Sequence, residues 1–481
     1  MASPASTSTT VMIQKRTITF GSAQPLSSKW WWIGAMRKMR LPVRATDTGR
    51  EPPGLAALGD LAGHVDLRLG GFDLSLLDGA TQLVMSPGVP LDEPIAAAAR
   101  TRGIEVLGDI ELFARAVQAP VIGVTGTNGK STVTTLVAHM AARAGRRVLA
   151  GGNLGEPALD LLERPAPDLY VLELSSFQLE TTASLRLQGA VVLNVTADHM
   201  DRYASLEAYA RAKARIFAHA ATMVLNADDP LVAAMRRRGA RTLTFSIDGA
   251  AADYTLLEDG TATHLARRGA PLIDAARLKI SGRHNQANAL AALALGEAAG
   301  FPDAAMLAAL QEFPGLAHRS AWVADVAGVR YVDDSKGTNV GATIAAVAGI
   351  RQPLVIIAGG DGKGQDFTPL AAAFRGKVRR AVLIGRDAAA LAAALAGACP
   401  CEFAASMPAA VQAAARAAAA GDVVLLSPAC ASLDMFRDYA HRGVEFAAAV
   451  RALAAAPAPD AAPGAADAAP HATHTPAGGT P

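Results

Sequence analysis

The residues best suited to chemistry form one run, Val121-Ile-Gly-Val-Thr-Gly126-Thr-Asn-Gly129-Lys130-Ser131-Thr132. An apolar strand enters a glycine turn, and Lys-Ser-Thr then opens the helical stretch Val133–Ala144. That order aims backbone N–H groups and a helix N-terminus at a phosphate, with Lys130 neutralising charge and a hydroxyl reaching Mg²⁺. The spacing differs from the common P-loop, which needs glycine where Val124 stands; the glycines are Gly123 and Gly126. A tight strand–helix turn alone explains the glycines but not the Lys-Ser-Thr run, so the segment reads as nucleotide-binding.

Three other places carry reactive side chains. Glu173 closes an apolar run in Leu172-Glu-Leu-Ser-Ser-Phe-Gln178-Leu-Glu180. A carboxylate at a strand exit is a surface residue as often as not, but beside a phosphate loop it becomes a metal candidate. Asn194-Val-Thr-Ala-Asp198-His199-Met-Asp201-Arg202-Tyr203 gathers Asp, His and Asp at another strand exit, a mixture suited to Mg²⁺ or phosphate. Lys213, on the helical stretch Ser205–Ala218, reads from spacing alone as a lysine on an amphipathic helix.

Groups at strand exits need parallel sheets to hold them. Val121–Thr125, Leu169–Leu174, Ala190–Val195 and Met223–Asn226 read as buried strands. Val329–Val332, Leu354–Ala358, Ala381–Ile384 and Val423–Leu426 form a second series. Alanine-rich, helix-length segments separate them, which implies right-handed crossovers and an α/β fold. Phe313-Pro314-Gly315 is the expected hinge between the series, and Asp109–Pro120 the join to a smaller N-terminal unit.

The bulk properties agree. A chain of 481 residues, 51% hydrophobic, holds two to four domains and several cores without staples. Three cysteines, Cys399, Cys401 and Cys430, make no secreted-type framework and fit a reducing, cytoplasmic setting. A net charge of +2 excludes a strongly electrostatic nucleic-acid binder. No apolar run is long enough to span a membrane.

The ends differ from the middle. Met1–Thr46 has no acid and seven basic residues, the composition of a transit peptide, although an unstructured or wrongly translated leader is the preferred reading. Trp30-Trp31-Trp32 is assigned no function. Ala455–Pro481 has too little to bury and is expected to be disordered, with His471 and His474 solvated there.

Taken in order, Gly126–Thr132, Leu172–Glu180, Asn194–Tyr203, Gly282-Arg-His-Asn285-Gln-Ala-Asn288, Ala317-His-Arg319 and Asp333-Asp334-Ser-Lys336-Gly-Thr338-Asn339 resemble the motifs of the Mur ligases. Gly359-Gly-Asp-Gly-Lys363 and Ser427-Pro-Ala-Cys-Ala-Ser432-Leu-Asp434-Met-Phe436 extend the resemblance toward the D-glutamate-adding branch, over about Pro42 to Ala449. It implies an α/β chain of three domains: an incomplete Rossmann-like unit for the UDP-substrate over 42–108, a P-loop ATPase-like parallel sheet over 109–313, and a Rossmann-like amino-acid domain over 314–454. Residues 1–41 are then a leader and 455–481 a tail.

The implied reaction is ATP-dependent. The terminal carboxylate of UDP-N-acetylmuramoyl-L-alanine is phosphorylated to an acyl phosphate, and the D-glutamate amine displaces phosphate, an ADP-forming step of peptidoglycan precursor synthesis. By resemblance, Gly126, Thr127, Asn128, Gly129, Lys130, Ser131 and Thr132 hold the ATP phosphates, Asn285 the adenine, and Arg319 and Asp334 the ribose and phosphates. Ser131, Glu173 and His199 ligate Mg²⁺, with Lys213 as a carbamate; the resemblance thus replaces the bland reading of Lys213. Lys130, Glu173, His199, Lys213 and Lys336 make the catalytic set. Asp47, Thr48, Arg50 and Ser86 face the uridine nucleotide, and Asn153, Ser175 and Gln178 the muramoyl part. Thr338, Lys363 and Ser432 face D-glutamate, as does Tyr439 where the family has phenylalanine. A monomer is expected, with no nucleic-acid partner and no membrane insertion.

The resemblance breaks before Leu41. The family's opening strand and glycine-rich turn are missing, unless Ile33-Gly34-Ala35-Met36 is a remnant, so the first strand is expected to be absent or replaced and nucleotide binding weakened. Three alternatives follow: another Mur ligase or a folylpolyglutamate synthase-like enzyme, an impaired nucleotide-binding relative, and, least supported, a plain P-loop NTPase switch.

Overall fold

The computed structural model describes residues 9–14, 43–52, 55, 59, 63, 65–280 and 282–455. Its strands fall into three sheets, one after another along the chain.

The first sheet has the order β3-β2-β1-β4-β5, all parallel. The strands are β1 (Thr9–Gln14), β2 (Val43–Asp47), β3 (Asp66–Leu69), β4 (Ala80–Met85) and β5 (Glu105–Gly108). The place where an absent or replaced first strand was expected is filled by β1, which pairs β2 on one side and β4 on the other. Its Thr-Thr-Val-Met-Ile-Gln sequence is rich in β-branched residues, so local propensity supports a strand where no family motif marks one. The leader expected over 1–41 thus contributes a central strand; its other residues, Trp30–Trp32 and Ile33–Met36 included, lie outside the described residues, as do His471 and His474 in the tail.

The central sheet runs β14-β13-β12-β11-β10-β9-β6-β8-β7. Its parallel part is β6 (Val121–Thr125), β7 (Val148–Gly152), β8 (Leu169–Glu173), β9 (Gly189–Val192), β10 (Thr222–Asn226) and β11 (Arg241–Phe245). An antiparallel extension, β12 (Tyr254–Glu258), β13 (Thr263–Arg267) and β14 (Ala270–Asp274), completes it. Both faces of the parallel part are covered: Val133, Leu136 and Met140 with Leu290 and Leu293 pack on one side, Phe113, Leu161, Ile216 and Phe217 on the other. β6, β8, β9 and β10 lie buried between these layers as continuous apolar runs, which is why they were visible in the sequence, whereas the more exposed β7 and β11 were not.

The third sheet is β15-β16-β20-β17-β18-β19. It comprises β15 (Ala321–Val326), antiparallel to the rest, then β16 (Val329–Asp333), β17 (Leu354–Gly359), β18 (Val378–Ile384), β19 (Cys401–Phe403) and β20 (Val423–Leu426). The expected hinge at Phe313–Gly315 follows the helix Asp303–Glu312 and precedes β15. Among the described residues no helix is long and apolar enough to cross a membrane.

In every sheet the crevice beyond the carboxyl ends of the strands is where a ligand fits, at the point where strand order reverses. In the central sheet that point lies between β6 and β9, and in the first between β1 and β4.

Candidate active site

The phosphate loop leaves β6 at this reversal. Gly126 (φ 152°) and Gly129 (φ 84°) both adopt backbone conformations that favour glycine. A Cβ on Gly129 would sit 2.3 Å from Asn288 Oδ1, so the loop can press against the helix Arg283–Ala299 only without a side chain there. The helix Lys130–Arg143 then starts on the lysine itself.

Lys130 Nζ donates to the Gly126 and Thr127 carbonyls at 3.0 and 2.8 Å, and Lys213 Nζ donates to the same Gly126 carbonyl at 2.9 Å. Lys213 is 1% exposed, with its ammonium 4.2 Å from the Tyr209 ring centroid. The solvated lysine suggested by helical spacing is therefore wrong: Lys213 ends the helix Leu206–Ala214 on its buried side. Burial, with the Lys130 charge beside it, holds the Lys213 amine well below the usual lysine range. Burial also lowers Lys130. Lys336 is pushed down to about 7 by burial and by Arg319. Lys213, buried, and Lys130 and Lys336, half-buried, together make this cleft receptive to anionic oxygens.

Glu173, at the end of β8, is 3% exposed. Its Oε1 accepts from Asn153 Nδ2 at 2.7 Å, while Oε2 is buried with no hydrogen-bond partner. Burial alone would raise this carboxyl; Lys130, Asn153 and Lys336 together hold it below the usual range, so it stays ionised. His199 (φ 58°) lies against Phe177, ring centroids 4.9 Å apart, and burial pushes its imidazole down to about 4. A neutral imidazole and an ionised carboxylate with an unused oxygen fit a cation, and Mg²⁺ commonly takes one or two carboxylates plus substrate phosphate oxygens. Among the described residues no group of three or more His, Cys, Asp or Glu forms a protein-only metal cage. The donor set suits a metal completed by its substrate.

The C-terminal domain closes over this cleft. Arg319 Nη2 donates to Ser131 Oγ at 2.9 Å, and Asn339 Nδ2 donates to Asn128 Oδ1 at 3.0 Å. Lys363 Nζ lies 2.9 Å from Asp198 Oδ1. Asp198 is held down at about 2 although burial opposes it, chiefly by Lys363 and His199. A cavity between the domains is lined by Asn128, Thr132, Asn285, Arg319, Asp334 and Lys336, residues drawn from separate sequence motifs. Asp334 accepts from Ser320 N and Ser427 Oγ, and burial pushes its carboxyl up to about 7.

Tyr439 opens the helix Tyr439–Ala455 with its ring 3.8 Å from Lys336 Nζ. Ser432 is buried in the turn after β20, and Thr338 follows Lys336 in the turn after β16. Ser175 and Gln178 form a reciprocal capping box on the helix Ser176–Glu180. Gln178 also donates to Asp109 at 3.0 Å, so both side chains already have partners within the protein. Asp47 is buried at the end of β2, accepting from Gly49 N at 2.6 Å; Arg50 is exposed nearby, and Ser86 follows β4. Thr48 follows Asp47 on the same exit. Asp47 and Ser86 thus lie beyond the two strands that flank β1.

Sequence reasoning assigned no role to Asp198 beyond its cluster, nor to Arg202 or Arg442. Arg202 donates to the carbonyls of Pro87 and Val89 and pairs with Glu180 at 2.8 Å, joining the first domain to the central one. Arg442 is 0% exposed and donates to Ser335 Oγ, Ser335 O and Cys430 O at 3.0, 2.8 and 3.1 Å. A buried guanidinium with several carbonyl partners leaves no local sequence pattern.

Three family models match this chain: "Mur ligase MurD-like, N-terminal domain" over residues 33–108, "Mur ligase middle domain" over 124–296 and "Mur ligase, glutamate ligase domain" over 318–430. The chain belongs to the Mur ligase family. Its relatives include the UDP-N-acetylmuramoylalanine–D-glutamate ligase of Nitrosococcus oceani, 56% identical over 412 residues, covering 85% of this chain and 91% of the relative. The Methylobacillus flagellatus enzyme of the same name is 49% identical over 441 residues, covering 91% and 96%. The fold is also that of the MurF ligase from Thermotoga maritima, solved in complex with ADP, at a TM-score of 0.58 and 17% identity, covering 86% of this chain and 96% of that one.

Proposed function

We propose that this chain is the ATP-dependent ligase that joins D-glutamate to UDP-N-acetylmuramoyl-L-alanine, forming ADP and phosphate. The observation that carries the reading is the meeting, in one interdomain cleft, of a phosphate loop, a strand-end carboxylate with an unused oxygen and three lysines, Lys213 buried and Lys130 and Lys336 half-buried. Relatives that share half or more of its residues and carry one enzyme name supply the choice of amino acid. The alternatives of another amino acid or an impaired enzyme have no observation in their favour.

A carboxylate is a poor electrophile because oxide would have to leave. Its oxygen attacks the γ-phosphorus of ATP, ADP departs, and the mixed anhydride has phosphate as a leaving group. The unprotonated D-glutamate amine then adds to the acyl carbon, and the tetrahedral intermediate collapses to amide and phosphate. Both steps gather negative charge, which Lys130, Lys336 and the N-terminus of the helix Lys130–Arg143 are placed to stabilise. Ser131, Glu173 and His199 would hold Mg²⁺, which supplies Lewis-acid polarisation of the transferred phosphoryl group. Lys213, whose amine burial holds well below the usual lysine range, would take up CO₂, and the resulting carbamate would offer that cation an anionic oxygen. Lys363 would exchange Asp198 for a D-glutamate carboxylate, with Thr338, Ser432 and Tyr439 around it. Asp47, Thr48, Arg50 and Ser86 would receive the uridine nucleotide, and Asn153, Ser175 and Gln178 the muramoyl part.

Phosphate release with ATP, Mg²⁺, UDP-N-acetylmuramoyl-L-alanine and D-glutamate, each omitted in turn, tests this. Turnover is expected only with all four present. Release that needs ATP alone, or that accepts another amino acid equally well, would overturn it.

A further inference from the structure

We infer that the pole of the central domain opposite the active site is a docking surface for an anionic lipid bilayer. The parallel strands put all the chemistry at their carboxyl ends, so their amino ends form a separate face. Three segments meet there: Leu187 N donates to His219 O, Ala221 N donates to Leu187 O, and Thr222 of β10 pairs with Arg241 of β11. Around this junction stand Arg186, Arg236, Arg237, Arg238 and Arg241, all exposed. Arg237 folds back to donate to the Phe217 and Ala218 carbonyls. Among the described residues, the side chains of Arg186, Arg236 and Arg238 have no partner, and the one acid within ion-pair distance of the five is Glu297, 4.0 Å from Arg241. A local excess of at least four positive charges therefore stands on a molecule of net charge +2.

The shape and composition favour a bilayer. The groove there is lined by Arg236, Arg237, Arg238, Gly239, Ala240 and Thr242, with no aromatic ring on which a base could stack. It has no apolar anchor either, so the contact is electrostatic and reversible. Three successive arginines, one committed to backbone carbonyls, present charge to an extended surface rather than converging on one small anion. Docking here leaves the cleft open, because the carboxyl ends of the five-residue strand β10 are roughly 13 Å away.

The test is co-sedimentation of the full chain with vesicles of phosphatidylcholine, alone or with about one-third phosphatidylglycerol, at millimolar lipid and low salt. The protein should pellet only with the anionic vesicles and be released at about 0.5 M salt. Each arginine near an anionic surface strengthens binding roughly fivefold, so R186Q/R236Q/R238Q should weaken it roughly 100-fold. R236Q/R238Q, which also keeps the Arg237 bonds, should show roughly a 25-fold loss. Thermal midpoint and ligase turnover should match the unsubstituted protein in both variants. Absence of pelleting with anionic vesicles, or equal pelleting of the triple variant, overturns the proposal. So does a labelled single-stranded oligonucleotide that binds more tightly than the vesicles at the same salt and is lost in the same variant.

Discussion

Glu173 is an acid kept ionised in a place that would otherwise neutralise it. Lys130 and Lys336 supply the opposing charge, and one of its oxygens has no partner in the protein. Glu173→Gln keeps the shape and the Asn153 contact but removes the anion. Phosphate release at saturating Mg²⁺ should then fall by at least about 100-fold, and a smaller loss would remove Glu173 from the metal set. Lys336 gives a second prediction at this scale. Its amine is lowered to about 7 by burial, with Arg319, Lys130 and Lys363 adding like charge and Glu173 opposing. A lysine is charged below its pKa, so kcat/KM for ATP should decline as pH rises through about 7, where the cation is lost. Lys336→Arg keeps its charge throughout, and its profile from neutral to alkaline pH should lack that limb. If the limb persists unchanged in the arginine variant, it belongs to another group.

Among the elements, strands buried on two faces were legible because they leave an unbroken apolar run, as in Leu354–Gly359, whereas the more exposed parallel strands Val148–Gly152 and Arg241–Phe245 were not. The antiparallel strands Tyr254–Asp274 were not, since their mixed burial dilutes the signal among loop-like residues. The first strand, Thr9–Gln14, was not legible as part of the family pattern because no glycine turn marks it; its own β-branched residues carry the strand signal. At the site, the phosphate loop and Glu173 were readable from local order. Lys213 was not: its burial depends on a carbonyl 87 residues away in sequence, which spacing cannot report. The Ser175–Gln178 capping box was present as a local pattern, Ser followed three residues later by Gln. Arg442 belongs here too, for it ties the turn at Ser335 to the turn at Cys430 from the helix Tyr439–Ala455. Arg442→Ala strands buried carbonyls and should destabilise the protein by about 3–5 kcal/mol. Urea unfolding followed by circular dichroism measures this; a cost under about 1 kcal/mol would show that water replaces the guanidinium.

The whole molecule works only when two domains meet, and the contacts that join them are polar. Lys363 pairs with Asp198, Asn339 with Asn128, and Arg319 with Ser131, so the closed arrangement is held by polar groups of the cleft itself. Lys363 and Asp198 are 11% and 9% exposed at their side chains, which limits screening by salt and makes a broken pair costly. In Asp198→Asn the closed form would enclose an ammonium without its anion. That should favour opening by about 2–4 kcal/mol and make closure depend on a ligand carboxylate. X-ray scattering should then give a larger radius of gyration for the ligand-free variant than for the unsubstituted protein. ATP with D-glutamate should restore the smaller value, because an incoming carboxylate supplies the charge that the amide lacks. Equal radii in the two ligand-free proteins would mean that the Asn339–Asn128 and Arg319–Ser131 contacts suffice to hold the domains together. Lys363 would then be positioned for substrate without Asp198 acting as the closing group.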